Sequence, residues 1–237
     1  MWDTFRSLNP IVIRNYSKKK TEELFNVSAR IDYYLIQNNN NKTKTLIIDE
    51  KDVTHNIDIH DYPFLPNYDH DQISKIITSQ DKGIQIIYSS SMYEGSARNK
   101  NLNKTKTGPF KYPIRHSHTD KDGEILYWTD NKKGHFGVPK VILIKGTYIN
   151  PLNDFEGKYG MSNYSFGLPI KSKKEGDDIV RALNSEKFIE IIKATKWQSG
   201  FTDHNMFRYF KPDFYKQFLS GKVQNEPKKS PPVTPPK

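Results

Sequence analysis

The chain contains no cysteine, no long apolar run and no glycine before Gly83. Without cysteine, disulfides and thiolate metal sites are excluded, and a reducing compartment fits. No stretch approaches the roughly 18 apolar residues of a membrane span, and residues 1–6 lack the apolar core of a signal peptide. Without glycine, the amino-terminal third has no glycine-rich turn for the close approach of a cofactor to the backbone. We therefore expect a cytoplasmic protein.

Positive charge is in excess: 37 lysines and arginines stand against 27 acids, with a net charge of +10. Such an excess favours a polyanionic partner by steering and non-specific attraction, although a basic proteome bias gives the same numbers. The mean hydropathy of −0.80 indicates a polar surface, while 13% aromatic residues argue against general disorder. At 237 residues the chain is long enough to bury a real core.

The first 60 residues have the pattern of a strand meander. Their short runs of β-branched and aromatic residues are Ile11–Ile13, Ile31–Ile36, Thr45–Ile48 and Thr54–Ile59. The run Asn38–Asn41 suits a loop tip between two antiparallel strands, because asparagine tolerates a left-handed backbone. The two prolines of Asp61–Pro66 oppose both a helix and a central strand, so we place a domain boundary there.

Residues 61–221 combine strands with helices. Asp69 and Gln72 have the spacing of a capping box, which predicts a helix to about Thr78. Strands are expected at 84–88, 112–118, 124–128, 140–145 and about 161–170, with a hairpin turn at 121–123. Helices are expected after the Ser172–Glu175 capping box, at about 185–195 and at about 203–219. We predict an α+β fold, with a mixed, mostly antiparallel sheet and carboxy-terminal helices packed on it.

Residues 222–237 contain five prolines and four lysines and no apolar period. This composition is typical of a disordered or polyproline-like end.

Catalytic patterns are weak. Asp154, Glu156 and Lys158 have the acid-x-Lys spacing of some metal-dependent nucleases, but they sit in a loop without a partner acid on a preceding strand. His116 and His118 alternate on a predicted strand, so they share one face and could form a metal pair, but a third ligand is missing nearby. A polar strand face that meets DNA explains the two histidines equally well. We therefore assign no catalytic residue and no metal ligand.

The segment 98–115 carries six cations and no acid. Asparagine and threonine fill much of the remainder, so the segment can combine several phosphate contacts with amide and hydroxyl hydrogen bonds. Six phosphate contacts would give a log–log salt slope of about −5. A flexible lysine-rich loop is the alternative. The six cations are Arg98, Lys100, Lys104, Lys106, Lys111 and Arg115; Lys132, Lys133 and His135 add polar or positive groups before the next strand.

Two loops, Gly134–Gly137 and Gly157–Gly160, have the G-x-x-G spacing of one RNA-binding loop. That module places the loop between two helices, whereas the flanks here predict strands and turns. The match is therefore weak.

Several blocks in a shared order carry a family resemblance. They are Phe25–Tyr34, Pro63–Tyr68, Phe110–His118, Gly134–Ile142, Glu156–Ser162, Leu183–Phe188 and Lys196–Tyr215. On these blocks, about residues 22–219 resemble the target-recognition part of adenine-specific DNA methyltransferases of fused type II restriction–modification enzymes, in bacterial and large-DNA-virus versions. The resemblance implies that the protein is located in the cytoplasm of a bacterial cell or of an infected host cell.

The resemblance also implies a domain plan and a partner. Residues 1–60 would be a strand-rich remnant of the catalytic domain, 61–221 the DNA target-recognition domain, and 222–237 the tail. The recognition domain would close over double-stranded DNA and read bases from the major groove while a catalytic half extrudes the adenine. Trp197 and Phe201 would be core residues.

The candidate DNA-binding residues follow from the same resemblance and from the basic segment. Those expected to contact phosphates are Arg98, Lys104, Lys106 and Lys111. Those expected near base edges are Arg115, His118, Lys133 and His135, with Tyr148 packing against the DNA backbone. Lys100, Lys132 and Lys140 complete the set.

The chain departs from the family in its catalytic half. Asn9-Pro10-Ile11-Val12 is the nearest string to the Asn/Asp-Pro-Pro-Tyr/Phe motif, but it lacks the second proline and the aromatic ring. We expect no methyl transfer by this chain alone, and S-adenosylmethionine would bind only a separate catalytic chain. Three hypotheses remain: a sequence-specific DNA-binding module, a metal-dependent endonuclease using Asp154, Glu156 and Lys158, and an assembly subunit whose residues 1–60 pair with a partner's sheet edge.

Overall fold

A computed structural model describes residues 2–37, 43–90, 93, 101–119, 123–196 and 201–219. The strands over these ranges are β1 (Pro10–Tyr16), β2 (Ile31–Ile36), β3 (Thr45–Ile48), β4 (Thr54–Ile57), β5 (Leu102–Asn103), β6 (Tyr112–Thr119), β7 (Gly123–Thr129), β8 (Lys140–Ile144), β9 (Leu152–Asp154), β10 (Gly160–Met161) and β11 (Ser165–Pro169). The α-helices are α1 (Trp2–Ser7), α2 (Lys18–Phe25), α3 (His70–Ile76), α4 (Lys173–Leu183) and α5 (Glu186–Ala194), with 3-10 helices at Ile59–Asp61, Gln80–Lys82, His204–Tyr209 and Phe214–Phe218. The chain has an α+β fold with mixed, mostly antiparallel strand pairing.

The amino-terminal sheet is not a simple meander. Its strand order is β2-β1-β3-β4, and β1 pairs with β3 in parallel. The prediction that Asn38–Asn41 joins two neighbouring strands is therefore wrong, because β1 lies between β2 and β3; the asparagines themselves fall outside the described residues. Helices α1 and α2 were also not expected. Ser17 begins α2 by accepting a hydrogen bond from the backbone N–H of Lys20, and Asn26 ends it in a left-handed conformation.

The central sheet has the order β10-β6-β7-β5. Strands β6 and β7 form the predicted antiparallel hairpin, although its turn at 120–122 lies outside the described residues. Their register shifts between Arg115 and Ser117, so His116 is an extra residue in β6. Strand β10 pairs with β6 in parallel.

The third sheet, of order β11-β8-β9, carries the helices. Every residue of β8 is buried, and α4 packs on β8 and β9. The predicted strand at about 161–170 is divided into β10 and β11 by a turn. The predicted strand at 84–88 forms only a single bridge, between Ile87 and Gly167.

Helix caps follow the sequence at one site and depart from it at another. Ser172 accepts from the backbone N–H of Glu175 as predicted, while the Glu175 carboxylate accepts from the backbone N–H of Lys171, one residue before the cap, instead of from that of Ser172. Asp69 instead has a left-handed backbone and no side-chain cap hydrogen bond. The inward face predicted for that helix is confirmed, because Ile73, Ile76 and Ile77 are all buried.

The carboxy-terminal segment forms 3-10 helices where an α-helix was predicted. Asp203 caps the first by accepting from the backbone N–H of Asn205. Four phenylalanines of this segment pack around Phe188 of α5: Phe207, Phe210, Phe214 and Phe218. Phe201 is 53% exposed, so its prediction as a core residue is wrong; Trp197 lies outside the described residues.

Two apolar clusters divide close to residue 60. The smaller contains Ile13, Ile47 and Ile59, whereas the larger begins at Tyr62 and extends to Phe218. The segment 61–66, where a domain boundary was predicted, is packed, since Tyr62 and Phe64 are buried in the larger cluster. Over the described part of the chain, none of the helices has the length and apolarity needed to cross a membrane.

Candidate nucleic-acid interface

A cavity of about 620 Å³ opens at the end of the β6–β7 hairpin opposite its turn. Tyr112 begins β6 and Trp128 lies one residue from the end of β7, so strand pairing brings them together. Four lysines, three aromatic rings and one acid line the cavity. We call it the lysine–aromatic pocket; its residues are Lys106, Lys111, Lys132, Lys158, Tyr112, Trp128, Phe136, Pro113, Gly137, Gly157 and Glu156.

Cations and rings in the pocket are already in contact. The Lys106 ammonium lies 5.3 Å from the ring centroid of Trp128, and the Lys132 ammonium lies 5.0 Å from that of Tyr112. Such cation–π pairs contribute roughly 0.5–1 kcal/mol at exposed sites. Lys106, Lys111 and Lys132 are exposed, and none forms a salt bridge within the described part of the chain. Their charge therefore remains available to an anion.

The wall of the pocket is built from the two G-x-x-G loops, which pack on each other. The Gly137 N–H donates to the Gly157 carbonyl (2.9 Å), and the Met161 N–H donates to the Gly134 carbonyl (3.0 Å). A Cβ on Gly157 would lie 2.6 Å from the Gly137 Cα, and Gly157 also has a φ of +65°. Neither loop lies between two helices, so the RNA-binding module that shares this spacing is not formed.

We expect Gly157→Ala to destabilise the fold by at least about 2 kcal/mol, because it combines left-handed strain with a backbone collision. Gly108→Ala is the matched control: Gly108 has a φ of +52°, but its Cβ would meet no atom within 4 Å. The control should lose only about 1 kcal/mol. Urea unfolding of both variants measures the difference, and equal losses would contradict the close loop contact.

Lys140 was predicted to bind DNA, and the structure corrects this. Its side chain is 0% exposed, and its ammonium lies 2.8 Å from Asp154 Oδ2. It also donates to the carbonyls of His135, Val138 and Tyr159 at 2.9–3.1 Å. Burial lowers the pKa of Lys140, and the hydrogen bond and charge of Asp154 oppose that shift. Lys140 thus ties the two glycine loops together instead of facing a ligand.

Arg115 is also interior. It is 2% exposed, its Nε donates to Glu124, and its Nη1 donates to the Ile142 carbonyl at 2.8 Å. This contact joins the central sheet to β8. The prediction that Arg115 reads a base edge is therefore wrong, because its donors are directed into the protein.

The remaining predicted residues separate into two groups. Lys106, Lys111 and Lys132 line the lysine–aromatic pocket, and Lys104 and Lys133 are exposed. His118 and Tyr148 line a second cavity, of about 580 Å³, with Lys193 and Lys196. Tyr112 and His118 lie six residues apart along β6, a separation of at most about 20 Å, so the two cavities meet different ends of that strand. Arg98 and Lys100 fall outside the described residues.

The second cavity has little free positive charge. Lys196 donates to the Thr147 carbonyl at 2.7 Å, and Lys193 pairs with Glu190. His118 Nδ1 lies 3.2 Å from the Asn150 side-chain nitrogen, and Tyr148 is 56% exposed.

His135 is half-buried at a left-handed φ of +67°. Burial and the nearby Lys140 charge lower its pKa, which favours the neutral ring. His135 is thus a weak candidate for a phosphate.

His116 and His118, which the sequence left open as a possible metal pair, have separate partners in the structure. His116 is the extra residue of the bulge, and its Nδ1 lies 2.8 Å from the hydroxyl of buried Ser162. His118 has Asn150 as its partner, so the two rings do not share a ligand position. In the described ranges, no group of three metal-ligating side chains comes together.

The nuclease residues do not converge either. Asp154 is 3% exposed, and its carboxylate accepts from Lys140 and from the backbone N–H groups of Lys158 and Tyr159. Glu156 and Lys158 form an exposed ion pair, which lowers the pKa of the carboxyl and raises that of the ammonium. The acid-x-Lys spacing therefore reflects loop structure.

Sequence reasoning missed the aromatic part of the site. Tyr112 directly follows Lys111, and Trp128 is opposite Pro113 in the hairpin. An aromatic residue within a basic stretch, together with the hairpin predicted from residues 121–123, was a usable signal. The bulge at His116 moved the strand register by one residue, which sequence alone does not reveal.

Comparisons with known proteins do not assign a family. A scan against protein-family models matched none of them to this chain, and a search of curated proteins gave no match. The function proposed below is therefore based on the pocket and on the motif resemblance.

Proposed function

We propose that this chain binds nucleic acid through the lysine–aromatic pocket, as the DNA target-recognition part of an adenine-specific methyltransferase or restriction–modification system. In this proposal it recognises double-stranded DNA with sequence preference and transfers no methyl group by itself. The motif resemblance supplies the target and the system. The clustering of three exposed lysines without acidic partners, beside aromatic rings, is the single observation that carries the binding surface.

The electrostatic part of the proposal rests on phosphate neutralisation. Each lysine that contacts a phosphate releases counterions, which makes the affinity fall with salt. The ammonium groups of Lys106, Lys111 and Lys132 come from the β5–β6 connection and the loop after β7, so one DNA backbone can meet all three. Lys104 is two residues from Lys106 and Lys133 directly follows Lys132, so both would extend the same binding surface.

Replacing Lys106, Lys111 and Lys132 together with glutamine should reduce the log–log salt slope for a duplex by about 3. Fluorescence anisotropy with a labelled 20-base-pair duplex over a salt series measures it. The matched control is a variant with glutamine at Lys19, Lys82 and Lys187, which are exposed and are not among the residues that line the pocket. The control changes net charge equally and should keep most of the slope.

Equal losses of slope in the two variants would contradict the proposed surface and leave only general basic charge. Sequence preference is tested separately by selection from a random duplex pool. Equal affinity for all duplexes and for heparin would contradict target recognition.

A second candidate function, assembly with a separate catalytic chain, is favoured by the amino-terminal sheet. On one face Tyr33, Leu35 and Leu46 are 50%, 55% and 37% exposed. Strand β2 pairs only with β1 within the described residues, so its outer edge is open. Apolar faces and open edges of this kind are typical of protein contact sites.

Pull-down from the native host tests that candidate. A methyltransferase-like protein, identified by mass spectrometry, should be retained by the wild type and lost with Leu35→Lys. Val53→Lys, which changes an apolar residue 49% exposed outside this face, is the control. A wild-type pull-down without any methyltransferase would contradict assembly.

A further inference from the structure

The lysine–aromatic pocket offers more than phosphate contacts. Lysines at a surface are sufficient to hold the backbone of a paired duplex, in which every base is already stacked and paired. Here Tyr112, Trp128 and Phe136 line the same cavity as Lys106, Lys111 and Lys132. Aromatic faces beside lysine ammonium groups can provide a stacking platform and a cationic rim together.

We infer that this pocket holds one unstacked nucleotide of a DNA strand, with its base against Trp128 or Tyr112 and its phosphate against the lysines. The inference rests on the proposed nucleic-acid binding and specifies the ligand of the pocket as a single unstacked nucleotide within the strand. It requires a base that has left the double helix, at a bulge, a mismatch or an extruded position.

The dimensions of the pocket fit this ligand. Its volume of about 620 Å³ falls within the roughly 300–1,000 Å³ of small-molecule sites and exceeds the need of a single phosphate. Phe136 closes one side, since its ring meets Tyr112 edge to face with centroids 6.0 Å apart. The ammonium groups of Lys106 and Lys132 lie within 6 Å of ring centroids, so a phosphate bound by them would place its base next to a ring.

The second cavity does not share these properties. Its aromatic residue is Tyr148, and the cations Lys193 and Lys196 already have an acidic and a carbonyl partner. Tyr148 therefore provides an internal control for the aromatic role.

The test uses the full chain and three 20-base-pair DNA probes: fully paired, with one unpaired adenine, and with an abasic site at the same position. Stacking on an aromatic side chain is expected to make the adenine-bulged probe bind about 5- to 100-fold more tightly than the other two. Trp128→Leu should weaken binding of the adenine-bulged probe by several fold more than binding of the paired probe, and so remove most of that advantage. Trp128→Phe should retain part of it, and Tyr148→Leu should retain all of it.

The outcomes separate this inference from the proposed function. If neither paired nor bulged DNA shows salt-dependent binding, the proposed function fails. If all three probes bind equally, or if Trp128→Leu weakens all three to the same extent, DNA binding stands and the inference is overturned. Should Trp128→Leu unfold, as circular dichroism would show, Tyr112→Leu and Trp128→Phe are compared with the wild type on the same three probes.

Free nucleotide is the other source of the same chemistry. Deoxyadenosine monophosphate at millimolar concentration should leave the Kd for bulged DNA unchanged, because the neighbouring phosphates contribute to strand binding. Competition at micromolar concentration would identify a site for small nucleotides and overturn a strand ligand.

Discussion

Asp154→Asn is expected to lower the free energy of unfolding by about 3–5 kcal/mol, because it leaves the Lys140 charge buried without its anionic partner. Lys140 is 0% exposed and Asp154 is 2% exposed at the side chain, so water cannot replace the lost ion pair. The Asp154 carboxylate also orders the second glycine loop through the N–H groups of Lys158 and Tyr159. We therefore expect the variant to lose the shape of the lysine–aromatic pocket together with stability.

Urea unfolding at pH 7 measures the loss of stability. A double variant tests whether the unpaired charge of Lys140 causes that loss. The double variant Lys140→Met, Asp154→Asn should lose less free energy of unfolding than the two single variants lose in sum, because no unpaired charge remains. Lys158→Met is the control, because that lysine forms an exposed ion pair and should change stability by no more than about 0.5 kcal/mol. A loss below about 1 kcal/mol in Asp154→Asn would show that the pair is not essential to the fold.

Acid is expected to destabilise the fold through His70 and His116, which are buried, and His204, which is half-buried. Burial lowers the pKa of His70, His116 and His204 to about 4, from an ordinary value of 6.5. Between pH 6.5 and 4 the unfolded chain therefore binds these protons and the folded chain does not. The stability that depends on keeping these histidines neutral is fully present above pH 6.5. It is lost as the pH falls toward 4, because the free energy of unfolding falls by up to about 1.4 kcal/mol per pH unit for each histidine.

His70 offers the clearest test, because it is 0% exposed and neither ring nitrogen has a hydrogen-bond partner among the described residues. The centroids of the His70 and His55 rings are 4.6 Å apart. The negative charge of Asp49 opposes the lowering of the His70 pKa only in part. His70→Leu should be at most about 1.5 kcal/mol less stable than the wild type at pH 7. Relative to the wild type it should then gain about 3 kcal/mol as the pH falls to 4.

The measurement is urea unfolding at half-unit steps from pH 7 to pH 4. Ile73→Val is the control, because it alters the same helix without a titrating group and should shift the whole curve by a constant amount. Parallel curves for His70→Leu and the wild type would contradict a neutral His70 in the folded protein.

Local features of the sequence were sufficient for most of the elements. Short runs of β-branched, aromatic and other apolar residues between turn signals predicted β3, β6, β7 and β8, and Ser172 with Glu175 predicted the start of α4. These features depend on neighbours within a few residues, so they can be recognised from the sequence alone. Short helices such as α1 and α2 were missed, because their few residues give only a weak periodic signal.

Sheet order and cation placement depended on long-range contacts. The pairing of β1 with β3 could not be derived from two runs separated by a third. Lys140 and Arg115 were grouped with the surface lysines because charge predicts exposure, yet both side chains are buried. Their partners, Asp154 and Ile142, are 14 and 27 residues away.

The sequence alone determined the α+β class, the positive excess and the basic stretch that includes Lys106 and Lys111. The tertiary structure decided which cations remain free, which are consumed by internal partners, and that Tyr112 and Trp128 join the lysines in one cavity. The physical reason is that propensity and charge are properties of a residue and its neighbours, whereas burial and pairing depend on residues that only folding brings together.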